Sequence, residues 1–361
     1  MVLSWDLAAE LHPRPGTGLS YLQAATRLNW SGVTLFFVLS GFLIGGILID
    51  NREAANYFRV FYIRRVCRIF PLYYLWLISF LVGRLYFQGS GPGQRWLFQN
   101  QGVAGLGIGS PNSIPLWSYA LYWQNWWMAK SNSWGPGWLG ISWSLAIEEQ
   151  FYLVLPIVIL YLKPKWIGVA SLSCLIAAPL ARLATPGLGS YCLLTSQLDA
   201  LMAGVFIAWL LRLEKAVFFC HRYLTSVSTT VFIAGLFCLA LIARHPDSYG
   251  VLGPSFLMLF YGSILILSLL SPSQWLGRSL KNSWLGSIGR ISYGIYLMHM
   301  FFIGLAHAVF FGQAPRITNA SQAAVSVGAL IASIAFAYLS YVFFEQKVTA
   351  IGQHYKYEIA L

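Results

Sequence analysis

Residues 142–161 read SWSLAIEEQFYLVLPIVILY, an apolar run broken by two adjacent carboxylates, Glu148 and Glu149. A helix needs roughly 20 apolar residues to cross the hydrocarbon core of a bilayer. The run therefore predicts a transmembrane helix with two acidic side chains inside it. Further runs of similar composition predict further spans, at residues 33–50, 69–88, 167–185, 196–212, 227–243, 252–270, 291–311 and 322–344.

The composition is typical of a membrane-embedded chain. Of the 361 residues, 58 % are hydrophobic and 9 % are charged, whereas a soluble domain has about 25 % charged residues. The formal net charge is +12, but the basic residues form short clusters between apolar runs. This pattern argues against a nucleic-acid partner and favours anionic membrane lipids or a phosphorylated ligand. We therefore predict an all-α, polytopic transmembrane helical bundle of about nine spans.

The placement of lysine and arginine predicts how the chain crosses, because short cytoplasmic loops are enriched in these residues. Segment 114–128 is short and rich in Trp and Tyr, which is typical of an interfacial or re-entrant segment. If it does not cross, the side that contains residues 51–68 holds 15 of the 23 basic residues. This count predicts nine spans, with a membrane domain at 31–350 and a cytoplasmic tail at 351–361.

An odd number of spans places residues 1–30 outside the cell. We interpret them as the remnant of a first transmembrane helix followed by an outer loop, so that the first Met of this sequence lies inside that helix. The complete protein is then expected to have ten helices. The five cysteines lack the spacing of a metal site, and we interpret them as small core residues.

Four segments carry a resemblance to a known family. They are GVTLFFVLSGFLI at 32–44, RRVCRIFPLY at 64–73, WSLAIEEQFY at 143–152 and ISYGIYLMH at 291–299, supported by LDAL at 198–201 and by Phe344-Glu345. In this order they resemble the acyltransferase-3 family of integral membrane O-acyltransferases. The resemblance implies transfer of an acyl group, acetyl in the simplest case, from cytoplasmic acyl-CoA to a hydroxyl of an envelope carbohydrate, a glycolipid or a secreted metabolite. It also implies a bacterial inner-membrane location and no tightly bound cofactor.

The carboxylates Glu148 and Glu149 are the first candidate catalytic residues. A charged side chain inside a span is costly, so both are not expected to be ionised and buried. Glu148 lies one helical turn from Ser144 and from Tyr152, which predicts a polar stripe facing the bundle interior. Glu148 or Glu149 is then a proton acceptor, a group that holds the catalytic base, or a carboxylate that pins neighbouring helices.

A second candidate group lies on the span 291–311. Ser292, Tyr296 and His299 recur at helical spacing and are predicted to share one face. His299 is interpreted either as a catalytic base, with Tyr296 beside it, or as a core histidine that hydrogen-bonds a backbone carbonyl.

The candidate ligands for the acyl donor are Arg64, Arg65 and Arg68. Pro71 is predicted to begin the adjoining helix, which places the arginines at its cytoplasmic end. From charge alone they are a positive-inside anchor, whereas the resemblance implies that they bind the phosphates of acyl-CoA.

The sequence departs from the family at several positions. The family's expected base is a histidine near the outer end of the first helix, and here Asp6 or His12 is the candidate for that role. Gln197 stands where an arginine is common, and Asp199 is interpreted either as a polar lining residue or as a helix-pairing residue. A catalytically inactive family member, or a transporter or flippase, therefore remains an alternative to the enzyme.

Two further features are assigned to packing. Gly41, Gly45 and Gly46 are predicted to let another helix approach closely. The tryptophans of residues 116–143 are predicted to form a belt of interfacial anchors on the outer face.

Overall fold

The computed structural model describes residues 29–86, 114–213, 223, 226–237, 251–270 and 280–358, and this described part contains helices and no β-strand. The α-helices of five or more residues are α1 Gly32–Asp50, α2 Tyr57–Tyr86, α3 Leu116–Ala120, α4 Gln124–Ser131, α5 Trp143–Tyr161, α6 Pro164–Ala184, α7 Leu194–Leu210, α8 Ser226–Phe237, α9 Gly253–Leu270, α10 Ser283–Phe311, α11 Ala320–Ser340 and α12 Gln346–His354. A π-helical turn, Tyr341–Glu345, joins the last two.

The spans predicted from hydropathy are confirmed over the described residues. Eight helical segments there are long and apolar enough to cross a membrane. The predicted span 227–243 coincides in part with the shorter apolar helix α8, and its remainder lies outside the described residues. The predicted first-helix remnant lies outside them as well. An all-α polytopic bundle is therefore the fold of this chain.

Pro71 does not begin a helix, and that prediction is wrong. Helix α2 starts at Tyr57 and continues through Pro71 to Tyr86. A proline removes one backbone hydrogen bond from a helix, and the apolar residues on both sides of Pro71 favour a continuous helix despite that loss. The three arginines at 64, 65 and 68 therefore lie within the first half of a long helix.

The segment that contains α3 and α4 is tied to the middle of α2. The hydroxyl of Tyr73 donates to the carbonyl of Tyr119 at 2.8 Å, and that of Tyr74 donates to the carbonyl of Ala120 at 2.8 Å. Tyr73 lies about 20 Å along the helix axis from Tyr86, at 1.5 Å per residue. A contact with the middle of a candidate span agrees with the re-entrant interpretation. Neither α3 nor α4 is long enough to cross.

The tryptophan belt is only partly correct. Trp117, Trp123 and Trp126 are exposed, as interfacial anchors should be. Trp138 and Trp143, in contrast, are buried. The Trp138 ring contacts aromatic side chains of α2 and α10, at residues Trp76, Phe80 and Phe301. Hydropathy cannot separate these two roles, because tryptophan suits both an interface and a core.

The chain divides into two compact units, each described by itself. The first comprises Met1–Asn29, Ala55–Ala146 and Gly286–Leu361, and the second comprises Trp30–Ala54 and Ile147–Leu285. In the second unit, α1 and α7 are in backbone contact through glycines. A Cβ on Gly41 would lie 1.8 Å from the carbonyl oxygen of Leu201, and one on Gly204 would lie 2.1 Å from that of Val38. Gly45 and Gly46 also face α7 and the residues that follow it. The helix-packing prediction is confirmed.

Replacing Gly41 with Ala is expected to destabilise the protein strongly. The new methyl group would overlap backbone atoms, which cannot rotate away as a side chain can, so α1 and α7 must separate. We expect a cost of about 3 kcal/mol or more. Thermal unfolding followed by fluorescence-detected gel filtration measures it. Gly286→Ala on α10 is the control, because nothing lies within 4 Å of a Cβ there. Equal unfolding midpoints for the two variants would contradict this packing.

Candidate functional site

Glu148 lies in a triangle of three polar side chains in the second unit. It is 5 % exposed. Its Oε1 accepts a hydrogen bond from Ser40 Oγ on α1 at 2.8 Å and a second one from the hydroxyl of Tyr152, one turn further along α5. Ser40 Oγ and the Tyr152 hydroxyl are themselves 2.8 Å apart. The predicted polar stripe on α5 therefore exists around Glu148.

The triangle can take up a proton without losing a contact. The three oxygen atoms make three contacts with one another, and each contact needs one proton to be a hydrogen bond. With Glu148 ionised the triangle holds two protons, one on each hydroxyl, and with Glu148 neutral it holds three. Such a group can store a proton inside a span at low structural cost. Glu149, the next residue, is half-buried.

Tyr296 is held in the first unit by the start of α5. Its hydroxyl donates to the carbonyl of Ile141 at 2.7 Å and lies 2.7 Å from Ser144 Oγ. Ser144 Oγ also lies 3.3 Å from the carbonyl of Ile141, so the two hydroxyls share one carbonyl acceptor. Ser292, which the sequence placed on the same face, is exposed and donates to the carbonyl of Gly289.

His299 is fully buried, and its ring lies 6.0 Å from that of Tyr296 between centroids. Its Nδ1 lies 2.7 Å from the carbonyl of Tyr296 and 3.1 Å from that of Ile295. Carbonyl oxygens only accept, so the neutral ring carries its proton on Nδ1 and its lone pair on Nε2. The carbonyl contact expected of a core histidine is present. The same contact fixes the tautomer that a base acting through Nε2 requires.

The three arginines of α2 have different surroundings in the first unit. Arg64 donates through Nε and Nη2 to the carbonyl of Tyr355, at 3.0 and 2.7 Å. Arg65 is half-buried, with its guanidinium 6.0 Å from the ring centroid of Phe61. Arg68 is exposed and interacts electrostatically with Glu345.

Glu345 belongs to the supporting motif Phe344-Glu345. It ends the π-helical turn Tyr341–Glu345 and accepts from Ser340 Oγ at 2.9 Å. A π-helical turn shifts the side chains that follow it relative to a regular helix, and such turns are frequent at functional sites. Here the carboxylate that ends the turn interacts electrostatically with Arg68.

Arg182, which was not predicted from the sequence as a functional or structural residue, pairs with Asp199. The Arg182 side chain on α6 is buried, its residue being 2 % exposed, and its Nη2 donates to Asp199 Oδ2 on α7. Ser255 Oγ on α9 donates to the same oxygen at 2.7 Å, and the backbone N–H of Ala200 donates to Oδ1 at 3.0 Å. Asp199 is therefore a helix-pairing residue. The sequence did offer one indication of this pair: Arg182 and Asp199 have opposite charges and lie at the adjoining ends of the successive predicted spans 167–185 and 196–212.

The remaining predictions concern the base on the first helix, a metal site and the cysteines. Asp6 and His12, the candidates for the base on the first helix, lie outside the described residues. Among the described residues there is no group of three or more His, Cys, Asp or Glu side chains that would hold a metal ion. Cys67 and Cys174 are half-buried and Cys192 is buried.

The helices and their buried polar clusters define a multi-pass, α-helical membrane protein. The sequence model of the acyltransferase domain family matches residues 18–342. The chain belongs to this family, which confirms the resemblance drawn from its motifs.

Related proteins are named as bacterial peptidoglycan O-acetyltransferases. A protein of Bacillus subtilis with the provisional name peptidoglycan O-acetyltransferase YrhL is 30 % identical over 310 residues, which are 78 % of this chain and 46 % of that protein. The peptidoglycan O-acetyltransferase OatA of Listeria monocytogenes is 28 % identical over 331 residues, 85 % of this chain and 50 % of that protein. The chain thus spans about half the length of these curated relatives. No solved structure matches it significantly.

Proposed function

We propose that this chain is a membrane O-acyltransferase. It moves an acyl group, acetyl in the simplest case, from cytoplasmic acyl-CoA to a hydroxyl of an envelope carbohydrate, a glycolipid or a secreted metabolite. Membership of the acyltransferase domain family supports the reaction class. The names of the relatives support an acetyl group and a carbohydrate acceptor.

The observation that carries the proposal is the buried triangle of Glu148, Ser40 and Tyr152. A carboxylate inside a span costs about 2.5 to 3.5 kcal/mol on insertion scales, so it is retained for a purpose. Acyl transfer needs such a group. The acceptor must lose a proton when its oxygen attacks the thioester carbonyl, and the departing thiolate must gain one when the carbon–sulfur bond breaks.

The roles proposed for the other candidate residues follow from these two proton transfers. A base takes the proton from the acceptor hydroxyl. His12 or Asp6 is proposed for that role from the resemblance, and His299 from its fixed tautomer. Glu148, aided by Glu149, is proposed to hold the proton or to support the base. Tyr296 is proposed to contribute a hydroxyl near the reacting atoms.

The arginines of α2 are proposed to bind the donor's phosphates. Guanidinium groups match phosphate oxygens in geometry and charge. The distribution of basic residues favours a cytoplasmic position for this end of α2 and for the C-terminal tail, in a bacterial inner membrane. The hydrogen bond between Arg64 and Tyr355 supports the same proposal, because it requires both to lie on one side of the membrane. An even number of crossings must then separate them. Of the nine predicted spans, the first precedes Arg64 and the other eight lie between Arg64 and Tyr355, which agrees.

A transfer assay tests the proposed function. The full chain is purified into nanodiscs and given radiolabelled acetyl-CoA with soluble peptidoglycan fragments or lipid-linked glycans. We expect an alkali-labile acetyl ester on the acceptor, and binding of acetyl-CoA that free CoA competes away. Folded protein that binds no CoA thioester would overturn the proposed donor. Binding without transfer to any acceptor would favour the inactive alternative.

A further inference from the structure

The C-terminal strap, defined as residues 355–358, lies across the start of α2 in the first unit. The backbone N–H of Ala55 donates to the carbonyl of Glu358 at 2.9 Å. Asn56 donates through Nδ2 to the carbonyl of Lys356 and accepts from the N–H of Glu358, both at 3.0 Å. Together with the bonds from Arg64 to Tyr355, these contacts fix the strap beside the arginines.

The strap orients Arg64 without neutralising it. A carbonyl oxygen carries no net charge, so the guanidinium stays positive. Arginine has five N–H donors, and the carbonyl of Tyr355 engages Nε and Nη2 alone. The remaining donors are held in a fixed direction. Arg68 differs, because it interacts electrostatically with the carboxylate of Glu345.

Tyr357 brings a hydroxyl to the same place. The guanidinium carbon of Arg64 lies 5.3 Å from the centroid of the Tyr357 ring. The Tyr357 hydroxyl is buried and has no hydrogen-bond partner among the described residues. Burial raises the pKa of this hydroxyl, and the charges of Arg64 and Arg65 oppose the shift in part. The group therefore keeps its proton at neutral pH and is available as a donor.

A buried hydroxyl without a partner is unfavourable unless a ligand supplies one. The chemistry around Tyr357 selects an acceptor with negative charge, because two guanidinium groups lie close by. We propose that the Tyr357 hydroxyl donates a hydrogen bond to a phosphate of the acyl donor, beside Arg64 and Arg65. This inference rests on the proposed use of acyl-CoA and adds the C-terminal strap to the donor site.

Tyr357→Phe tests the inference, because it removes the hydroxyl and keeps the ring over Arg64. Binding of acetyl-CoA to the full chain is measured by isothermal titration in phosphatidylcholine nanodiscs. We expect the dissociation constant to rise roughly tenfold, as for the loss of one hydrogen bond to a charged group. In the transfer assay, KM for acetyl-CoA should rise while kcat is retained. Tyr161→Phe is the matched control, since it removes the same hydroxyl from an exposed tyrosine at the end of α5.

The phosphate involved is identified with shortened donors. Acetyl-dephospho-CoA lacks the 3′-phosphate, and if Tyr357 binds that group, the variant and the parent should bind this compound equally. A difference that persists assigns the contact to the pyrophosphate. Thermal unfolding of each variant in the same nanodiscs confirms that the fold is intact.

Two results would overturn the inference and leave the donor proposal standing. One is equal affinity of the parent and Tyr357→Phe for acetyl-CoA. The other is found in nanodiscs that also contain phosphatidylglycerol: Tyr357→Phe binds this lipid less than the parent does but binds acetyl-CoA normally. The Tyr357 hydroxyl would then bind a lipid headgroup and not the acyl donor. A folded parent protein without affinity for acetyl-CoA would instead refute the donor proposal itself, and this inference with it.

Discussion

Replacing Glu148 with Gln is expected to lower the rate of acyl transfer at least 100-fold, within the range of about 10²- to 10⁴-fold for a positioned proton-transfer group. The amide has nearly the shape of the carboxyl group and still accepts from Ser40 and Tyr152. The amide cannot take up a proton, however, so the triangle of Glu148, Ser40 and Tyr152 can no longer bind a third proton. The initial rate of acetyl ester formation in nanodiscs measures the effect, and the affinity for acetyl-CoA should stay within twofold.

Glu53→Gln is the control for that experiment. It makes the same chemical change at an exposed carboxylate outside the membrane spans and should leave the rate unaltered. Ser40→Ala and Tyr152→Phe should each give a smaller loss than Glu148→Gln, because each removes one hydroxyl and leaves the carboxylate. If Glu148→Gln kept more than half of the parent rate, Glu148 would be a helix-pinning residue and no part of the reaction.

Replacing Arg182 with Met is expected to destabilise the protein by about 3 to 5 kcal/mol, the typical cost of breaking a buried ion pair. The pair with Asp199 is fully buried, and removal of the guanidinium leaves the carboxylate in an apolar environment. The contacts from Ser255 and Ala200 remain but supply no positive charge. Thermal unfolding in detergent, followed by loss of the monodisperse gel-filtration peak, measures the change.

Arg212→Met is the matched control, because Arg212 pairs with Asp50 on the exposed end of α1 at 2.5 and 2.6 Å. Solvent screens this pair, so its loss should cost under about 1 kcal/mol. The double variant Arg182→Met with Asp199→Asn should regain much of the lost stability, since no unpaired charge remains. A double variant as unstable as Arg182→Met alone would show that packing, and not charge, is responsible.

The pairing of Arg182 with Asp199 also bears on a departure noted in the sequence. Gln197 occupies the position where the family commonly has an arginine, and its side chain donates to the carbonyl of Tyr191. A guanidinium nevertheless reaches the carboxylate two residues further on, from another helix. Motif comparison could not reveal this, because it examines residues that are adjacent in the chain.

The candidate site was predicted unevenly for the same reason. The stripe of Glu148 and Tyr152 lies within one helix, so helical spacing was enough to predict it. Ser40 completes the triangle from 108 residues away in the chain, and no local pattern indicates it. The hydrogen bond between Arg64 and Tyr355 joins residues that are 291 positions apart in the chain. This bond, which holds the C-terminal strap beside the arginines, is likewise not indicated by any local pattern.

The sequence by itself determined that the chain crosses a membrane and which stretches are apolar enough to do so, because apolar length is a property of a continuous stretch of residues. It also determined the family, through motifs in a fixed order. The tertiary structure alone decided which polar side chains meet. Each residue turns a helix by about 100°, so the direction of a side chain relative to a neighbouring helix depends on how the two helices are rotated and packed.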